Sequence, residues 1–327
     1  MENFATLQDI AARQGGDKTI QKIIEFQSKT NRILDDMIFC EANEKTTHLT
    51  TVRTKLPEVA WRMINRGVKP GKSGTSQISF TSGGMEALAK VDERLLHVNG
   101  GVGSETANGW RLGENAAYQQ SMNHEMATTL FYGDEKINPA GFTGLGAYYY
   151  STDKANCAAA DYVLDAGGTG NNLTSIWFIV WGQNTMHGFT PQGIPTGFKY
   201  RDNGRVKAYD EAGGEFYAYE SQYNWDMGLA VRDYRYGVRV CNIDLTSSTL
   251  KLLDLMIEAY NRVEDMDAGK PAIYCNRQVM TKIDLLAQDK HNVNLTIDNY
   301  AGKKITHFWG TPFRRCDNIL NTEEQIV

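Results

Sequence analysis

KTTHLTTVRTKLPEVAWRMINRGVKPGKSGT, Lys45 to Thr75, is the stretch on which the fold turns. Its bases are Lys45, Arg53, Lys55, Arg62, Arg66, Lys69 and Lys72. Against the single acid Glu58 they leave a net of +6, in a chain whose net charge is −5. Strand-like sequence bounds it on both sides, Leu49–Thr54 and Thr75–Phe80. Between them Val59, Trp61, Met63 and Ile64 are apolar but show little sign of a core of their own. A basic, partly apolar hairpin that cannot bury itself needs an acidic and apolar surface to lie on. That surface is nucleic acid, a membrane, a substrate or another copy of the chain.

The rest of the composition narrows the choice. The 327 residues suit roughly two domains or one large one. A hydrophobic content of 41% and a charged content of 22% describe an ordinary globular protein. No stretch approaches the ~18 uninterrupted apolar residues of a membrane helix. The opening MENFATLQDIAARQGG has neither a basic region nor an apolar run and does not read as a secretory signal. A pI near 5.7 argues against the whole chain being a nucleic-acid binder. Cys40, Cys157, Cys241, Cys275 and Cys316 are odd in number, far apart and form no CxxC. They read as buried thiols in a reducing compartment, not as disulfides or a zinc site. Sixteen Tyr, six Trp and 31 Gly suggest a sheet-rich body with many tight turns.

Periodicity places the main elements. Asp17 is positioned to N-cap a helix running to about Cys40, with Ile20, Ile23, Ile24, Ile33, Met37 and Ile38 as its apolar set. After the hairpin comes an apolar stretch, Met85 to Val98, and then the glycine-rich turn Asn99–Gly103. A second helix is expected over Glu114–Tyr132. Tyr118, Met122, Met126 and Leu130 form its stripe, and Gly133 stands at C′. Ile176–Trp181 is a continuous apolar run, as in a strand buried on both faces. Tyr217, Tyr219, Tyr223 and Trp225 alternate with polar residues, and Ala230, Tyr234, Tyr236, Val238 and Val240 carry the strand pattern on. A third helix is expected over Thr249–Met266, with Leu250, Leu253, Ile257 and Tyr260 inward. The strand Ala272–Cys275 follows, then a helix capped by Asn276 with Val279, Met280, Ile283 and Leu286 on one face. Two last strands are Leu295–Ile297 and Lys304–Trp309. With no regular βαβ repeat, this is an α+β chain and not a doubly wound nucleotide fold.

No motif carries chemistry. Gly67-Val68-Lys69-Pro70-Gly71-Lys72-Ser73 is one residue short of GxxxxGK[ST], contains a proline and leads into a strand, so it reads as an exposed turn. Gly167-Gly168-Thr169-Gly170 also leads into a strand and reads as a turn. His48, His97, His124, His187, His291 and His307 show no HxxxH or HxH spacing, which leaves a metal site without local support. His187 is best read as structural. Asp226, Asp233 and Asp244 lie among Arg232, Arg235 and Arg239 and read as ordinary ion pairs. The chain is expected to have no catalytic residue and no cofactor.

Several stretches taken in order resemble the major capsid proteins of tailed bacteriophages, particularly a short-tailed group, with the Hong Kong 97-type fold. They are LPEVAWRMINRGVKPGKS (Leu56–Ser73), NHEMATTLFYGD (Asn123–Asp134) with Ile137-Asn138-Pro139 and Phe142-Thr143-Gly144-Leu145, SIWFIVWGQNTMHGFTPQG (Ser175–Gly193), YNWDMGLAVRDYRYGVRVCNID (Tyr223–Asp244) and GTPFRRCDNI (Gly310–Ile319). The resemblance implies an N-terminal arm over 1–44 and an extended loop over 45–84. It further implies a peripheral domain with a spine helix over 85–145, and an axial domain with returning peripheral strands and helix over 146–327. Some members of the family cross-link a hairpin lysine to an asparagine of a partner; Lys55, Lys69 and Lys72 are available here, but nothing marks one as buried beside a carboxylate.

The resemblance implies a structural protein that self-assembles into pentamers and hexamers, forming an icosahedral shell around double-stranded DNA. Such a protein resides in the virion, is assembled in the bacterial host cytoplasm, meets decoration or cement, scaffold and portal proteins, and touches no membrane. The contact expected on the loop side uses Arg53, Lys55, Trp61, Arg62, Met63, Ile64, Arg66, Lys69 and Lys72. On the spine side, Glu105, Glu114, Glu125, Asp134 and Glu135 stand against one base, Arg111, for a net of −4 from 105 to 135. Two other classes stay open on the sequence: an enzyme of unknown type, which would form a small closed oligomer, and a nucleic-acid-binding module using the hairpin, which would bind DNA with a steep salt dependence.

Overall fold

The computed structural model describes residues 31–98, 100–210, 212–247, 250–287, 294–300 and 303–327, without the side chains of 105–110, 112–115, 298–300 and 303–304. The chain forms two compact units. The larger takes in 31–83, Thr128–Pro195 and Met227–Val327; the smaller contains Gly84–Ala127 and Thr196–Asp226.

The larger unit is built on β5 (Thr174–Trp181), in which every residue is buried. It pairs antiparallel with β9 (Gly237–Ile243) on one side and β10 (Lys270–Cys275) on the other. Alternation sends Ile176, Phe178 and Val180 into one core with Val238, Val240 and Ile273. Two helices, Leu252–Arg262 and Arg277–Ala287, close that core with Met256, Ala259, Val279 and Ile283. The opposite side of β5 presents Trp177, whose ring meets Phe131 at 6.0 Å and Tyr149 at 5.8 Å. β13 (Thr311–Arg315) adds in parallel to β10, and a hairpin of β11 (Leu295–Tyr300) and β12 (Lys303–Phe308) extends from it. β6 (Met186–Thr190) pairs with β1 (Phe39–Glu41) and with β8 (Glu215–Val231).

The hairpin sits in this unit. β2 (Thr47–Lys55) pairs antiparallel with β3 (Gly74–Asp92) from Thr47↔Thr81 to Lys55↔Gly74. β3 is far longer than the expected Thr75–Phe80 and runs on through Met85–Asp92, with a short helix, Glu93–Val98, ending the apolar stretch. In the smaller unit β8 pairs with β7 (Lys199–Tyr209). Tyr118 of the long helix stacks on buried Tyr223 at 4.8 Å, and Arg111 bonds Ser221 and Asp202, each at 3.0 Å.

Four further expectations are corrected. The first helix does not reach Cys40: its residues 17–30 lie outside those described, helix covers only Ile33–Asp36, and Met37 is already extended. Strand pairing of Phe39–Glu41 with β6 overrides the helical pattern there. The long helix begins at Glu105, not Glu114, carrying Gly109 and Gly113 in its interior despite their cost of ~1 kcal/mol each. The strand pattern after Ala230 is broken by a 3₁₀ turn at Tyr234–Tyr236, where Asp233 accepts from the Arg235 amide. The third helix is rotated by about one position. Leu252, Met256 and Ala259 are its buried face, while Leu250, Leu253, Ile257 and Tyr260 pack at the margin.

Candidate inter-subunit surfaces

Between β2 and β3 the chain leaves regular structure from Leu56 to Ser73. Arg53 and Lys55 stand at the end of β2, with a register shift between them just before the ladder ends at Lys55↔Gly74. Beyond it Trp61 is 103% exposed and Ile64 92%, and Val59, Met63 and Leu56 are also open to solvent. The loop keeps its shape through a few local contacts. Arg62 Nε donates to the Arg66 carbonyl at 2.9 Å, and the Arg66 amide donates to the Met63 carbonyl at 3.2 Å. Asn65 takes φ 61° at the turn. Gly71 passes the backbone of Glu58 so closely that a Cβ would lie 3.1 Å from the Glu58 carbonyl. Among the described residues, Arg53, Lys55, Arg62, Arg66, Lys69 and Lys72 make no ion pair within the chain. The phosphate-loop look-alike at 67–73 lies wholly in this exposed segment and is followed by β3, with no helix to present amides.

The acidic set is dispersed. Glu125 is exposed on the long helix in the smaller unit. The side chains of Glu105 and Glu114 lie outside those described. Asp134 accepts the Lys136 amide at 2.9 Å and shapes the turn after the long helix. Glu135 accepts a hydrogen bond from Thr81 at the hairpin base of its own chain. The structure therefore brings the loop residues together as one exposed segment, and gives Asp134 and Glu135 local partners.

Other candidates resolve into structural roles. Asp233 pairs with Arg235 at 2.7 Å, Asp226 with Lys199 at 3.4 Å, and Asp244 accepts from the Thr246 hydroxyl at 2.7 Å. Arg239 ignores its acidic neighbours in sequence and pairs with Glu323 at 2.9 Å in the core. All five cysteines are free, four of them buried; burial pushes the Cys241 and Cys316 thiols up to about 12. No cluster of His, Cys, Asp and Glu suited to a metal occurs among the described residues. No helix among them is long and apolar enough to cross a membrane.

Besides the Arg239–Glu323 pair, sequence reading missed two polar sets built around buried Asp36 and buried His187. Asp36 receives Lys270 at 3.0 Å, Arg314 at 3.1 Å and the Tyr274 hydroxyl at 3.3 Å. His48 of β2 meets His187 of β6 edge-on at 5.2 Å. Both join residues distant in the chain. The only local cue was a charged or titratable residue inside an apolar run, as with Arg239 in GVRVCNI and His187 in MHGFT.

A search of curated proteins finds no match. Among solved structures, one of bacteriophage Epsilon15 matches with 32% identity and a TM-score of 0.78, over 99% of this chain and 98% of that one. The capsid of bacteriophage JBD30 shares the fold at 10% identity and a TM-score of 0.50, over 97% of this chain and 99% of that one. The family model described as major capsid protein GP7 matches residues 15–327. An α+β chain with an unpartnered apolar loop, matched from near one end to the other, thus belongs to the GP7 family of phage major capsid proteins.

Proposed function

We propose that this capsid protein closes pentamers and hexamers by laying the Leu56–Ser73 loop of each subunit on the next, forming the icosahedral shell of a tailed phage around its double-stranded DNA. The loop, 45–84, is the extended loop; 1–44 is the arm; 85–145 is the peripheral domain with its spine helix; 146–327 supplies the axial domain and returning strands. The observation that carries this reading is the exposure of Trp61, Met63 and Ile64 together on one segment without cover. Burying each contributes about 1.5–3 kcal/mol, whereas an exposed ion pair contributes ~0.2–1 kcal/mol. The apolar side chains therefore hold the contact, while the bases set register against the acids Glu105, Glu114, Glu125, Asp134 and Glu135. A contact between two different patches generates rings, as a capsomer requires. The chain acts by assembly, not catalysis, in the cytoplasm of a bacterial host. Scaffold, portal and decoration or cement proteins are its further partners.

The test is the Trp61→Ala/Ile64→Ala variant, followed by sedimentation and negative-stain microscopy. Wild type should give shells or capsomer rings. The variant should remain a subunit whose unfolding free energy lies within about 0.5 kcal/mol of wild type, because neither side chain is buried in the subunit. Shells of normal yield from the variant would refute the reading.

A further inference from the structure

At the hairpin base β3 is hydrogen-bonded to β8 and Thr81 to Glu135, and two further ties come from side chains packed on the body. Phe80 of β3 joins Ala42, Phe189 and Ala230 in a small buried cluster, with Tyr148 against it. The second tie is aromatic. His48 of β2 stacks on Phe189 with ring centroids 5.4 Å apart and meets His187 edge-on at 5.2 Å. His187 is 1% exposed. Each of the two imidazoles holds a buried Nδ1 with no hydrogen-bond partner. The remaining hydrogen bond of His187 goes to the backbone of Gly182.

The surroundings are one-sided in charge. Arg232, directly after β8, acts on both rings, and its guanidinium is fixed by the Gln183 carbonyl at 2.7 Å. From β1, Cys40 faces the same guanidinium, with its thiol held up by burial. Among the described residues, no carboxylate acts on either imidazole. A proton added to either ring therefore places a cation beside Arg232, with no acid to receive it.

We propose that the His48–His187 contact is an acid-released catch: it holds the hairpin base on the body at neutral pH and frees it on acidification. The proposal rests on the reading of the hairpin as the piece that joins neighbouring subunits, and adds regulation of that same surface. Lifting β2 separates the rings and lets water reach both Nδ1 atoms. Burial first, then the charges of His48 and Arg232, hold His187 down at about 4 in the closed state. Burial and then Arg232 lower His48 as well. Groups depressed in the closed state take up protons on opening. The closed state thus keeps its full stability above ~6.5, the ordinary histidine value, and loses it as pH falls towards 4. For His187 alone, the step from pH 7 to pH 5 raises the opening equilibrium roughly twentyfold.

Hydrogen exchange on the unassembled full-length subunit tests this, and needs no loop docking, so its failure is distinct from failure of the assembly reading. Between pH 7 and pH 5, protection factors over 47–55 and 74–82 should fall roughly twentyfold or more relative to those of 174–181. In His48→Phe/His187→Gln the same step should leave them within about twofold. Unchanged protection in wild type, or an equal fall in the double variant, would overturn the proposal. If the double variant does not fold by circular dichroism, carbon-13-labelled histidine in wild type decides. Both imidazoles titrating near ~6.5 in a subunit whose hairpin stays protected would overturn it equally.

Discussion

Glu323 shows how much one buried side chain organises. Its carboxylate accepts from Arg239 Nη2 at 2.9 Å, from the Tyr132 hydroxyl at 2.5 Å and from the Ser175 hydroxyl. Arg239 also donates to Ser175 Oγ at 3.1 Å and to the Tyr149 carbonyl at 3.0 Å, and its guanidinium lies 4.8 Å from the Trp177 ring. The two side chains are only 6% and 5% exposed. Removing one partner leaves the other charge stranded out of water, which costs about 3–5 kcal/mol. Glu323→Ala should lower the unfolding free energy by about that amount in urea titration, and Arg239→Met/Glu323→Leu should cost less than the sum of its two single changes. A loss under about 1 kcal/mol for Glu323→Ala would show that the pair is replaceable by solvent.

Helix Arg277–Ala287 illustrates the element scale, because its start was legible and its surroundings were not. Asn276 caps it as its position implied, accepting the Val279 amide at 2.9 Å. The same amide side chain also donates to Thr174 Oγ1 at 2.7 Å and Asn321 Oδ1 at 2.5 Å, tying helix, central strand and tail together. Asn276→Ala should therefore cost more than an isolated cap, about 2–3 kcal/mol in thermal or urea unfolding. Asn276→Asp should retain the cap and lose only the donated bonds, falling between the two. Equal stabilities of Asp and Ala variants would mean that the cap contributes nothing. Gly133 offers the converse. It follows the long helix as a C′ glycine would, yet it is not among the glycines with positive φ. It is required because a Cβ would lie 2.5 Å from the carbonyl oxygens of Thr129 and Phe142.

For the whole molecule, charge and apolar surface contribute differently to assembly. Arg62→Glu/Arg66→Glu keeps Trp61, Met63 and Ile64 but replaces attraction with repulsion wherever the loop meets acids. This variant should stay folded by circular dichroism and fail to form shells at low salt. Shell yield should recover in part at about 0.5 M salt, where screening shortens to a few ångströms, and in part when Glu114→Lys/Glu125→Lys subunits are supplied in trans. Normal shells from the reversed loop at low salt would remove charge from the account and leave apolar burial alone.

The sequence by itself determined the features that depend on local pattern. The basic, partly apolar hairpin at 45–75 declared that it had little core of its own; Trp61 is fully exposed, although Thr50 of β2 is buried. The apolar run Ile176–Trp181 declared a strand covered on both faces, and it is. Stripe spacing found Met122, Met126 and Leu130, all buried. Tertiary structure decided whatever depends on contacts between distant residues. Pairing with β6 turned Phe39–Glu41 from helix to strand. The partner of Arg239 lay 84 residues away, and that of His48 on another strand altogether. Such pairs leave no periodicity to read, because burial and hydrogen bonding select partners in space, whereas spacing along a chain reports only which face of an element is dry.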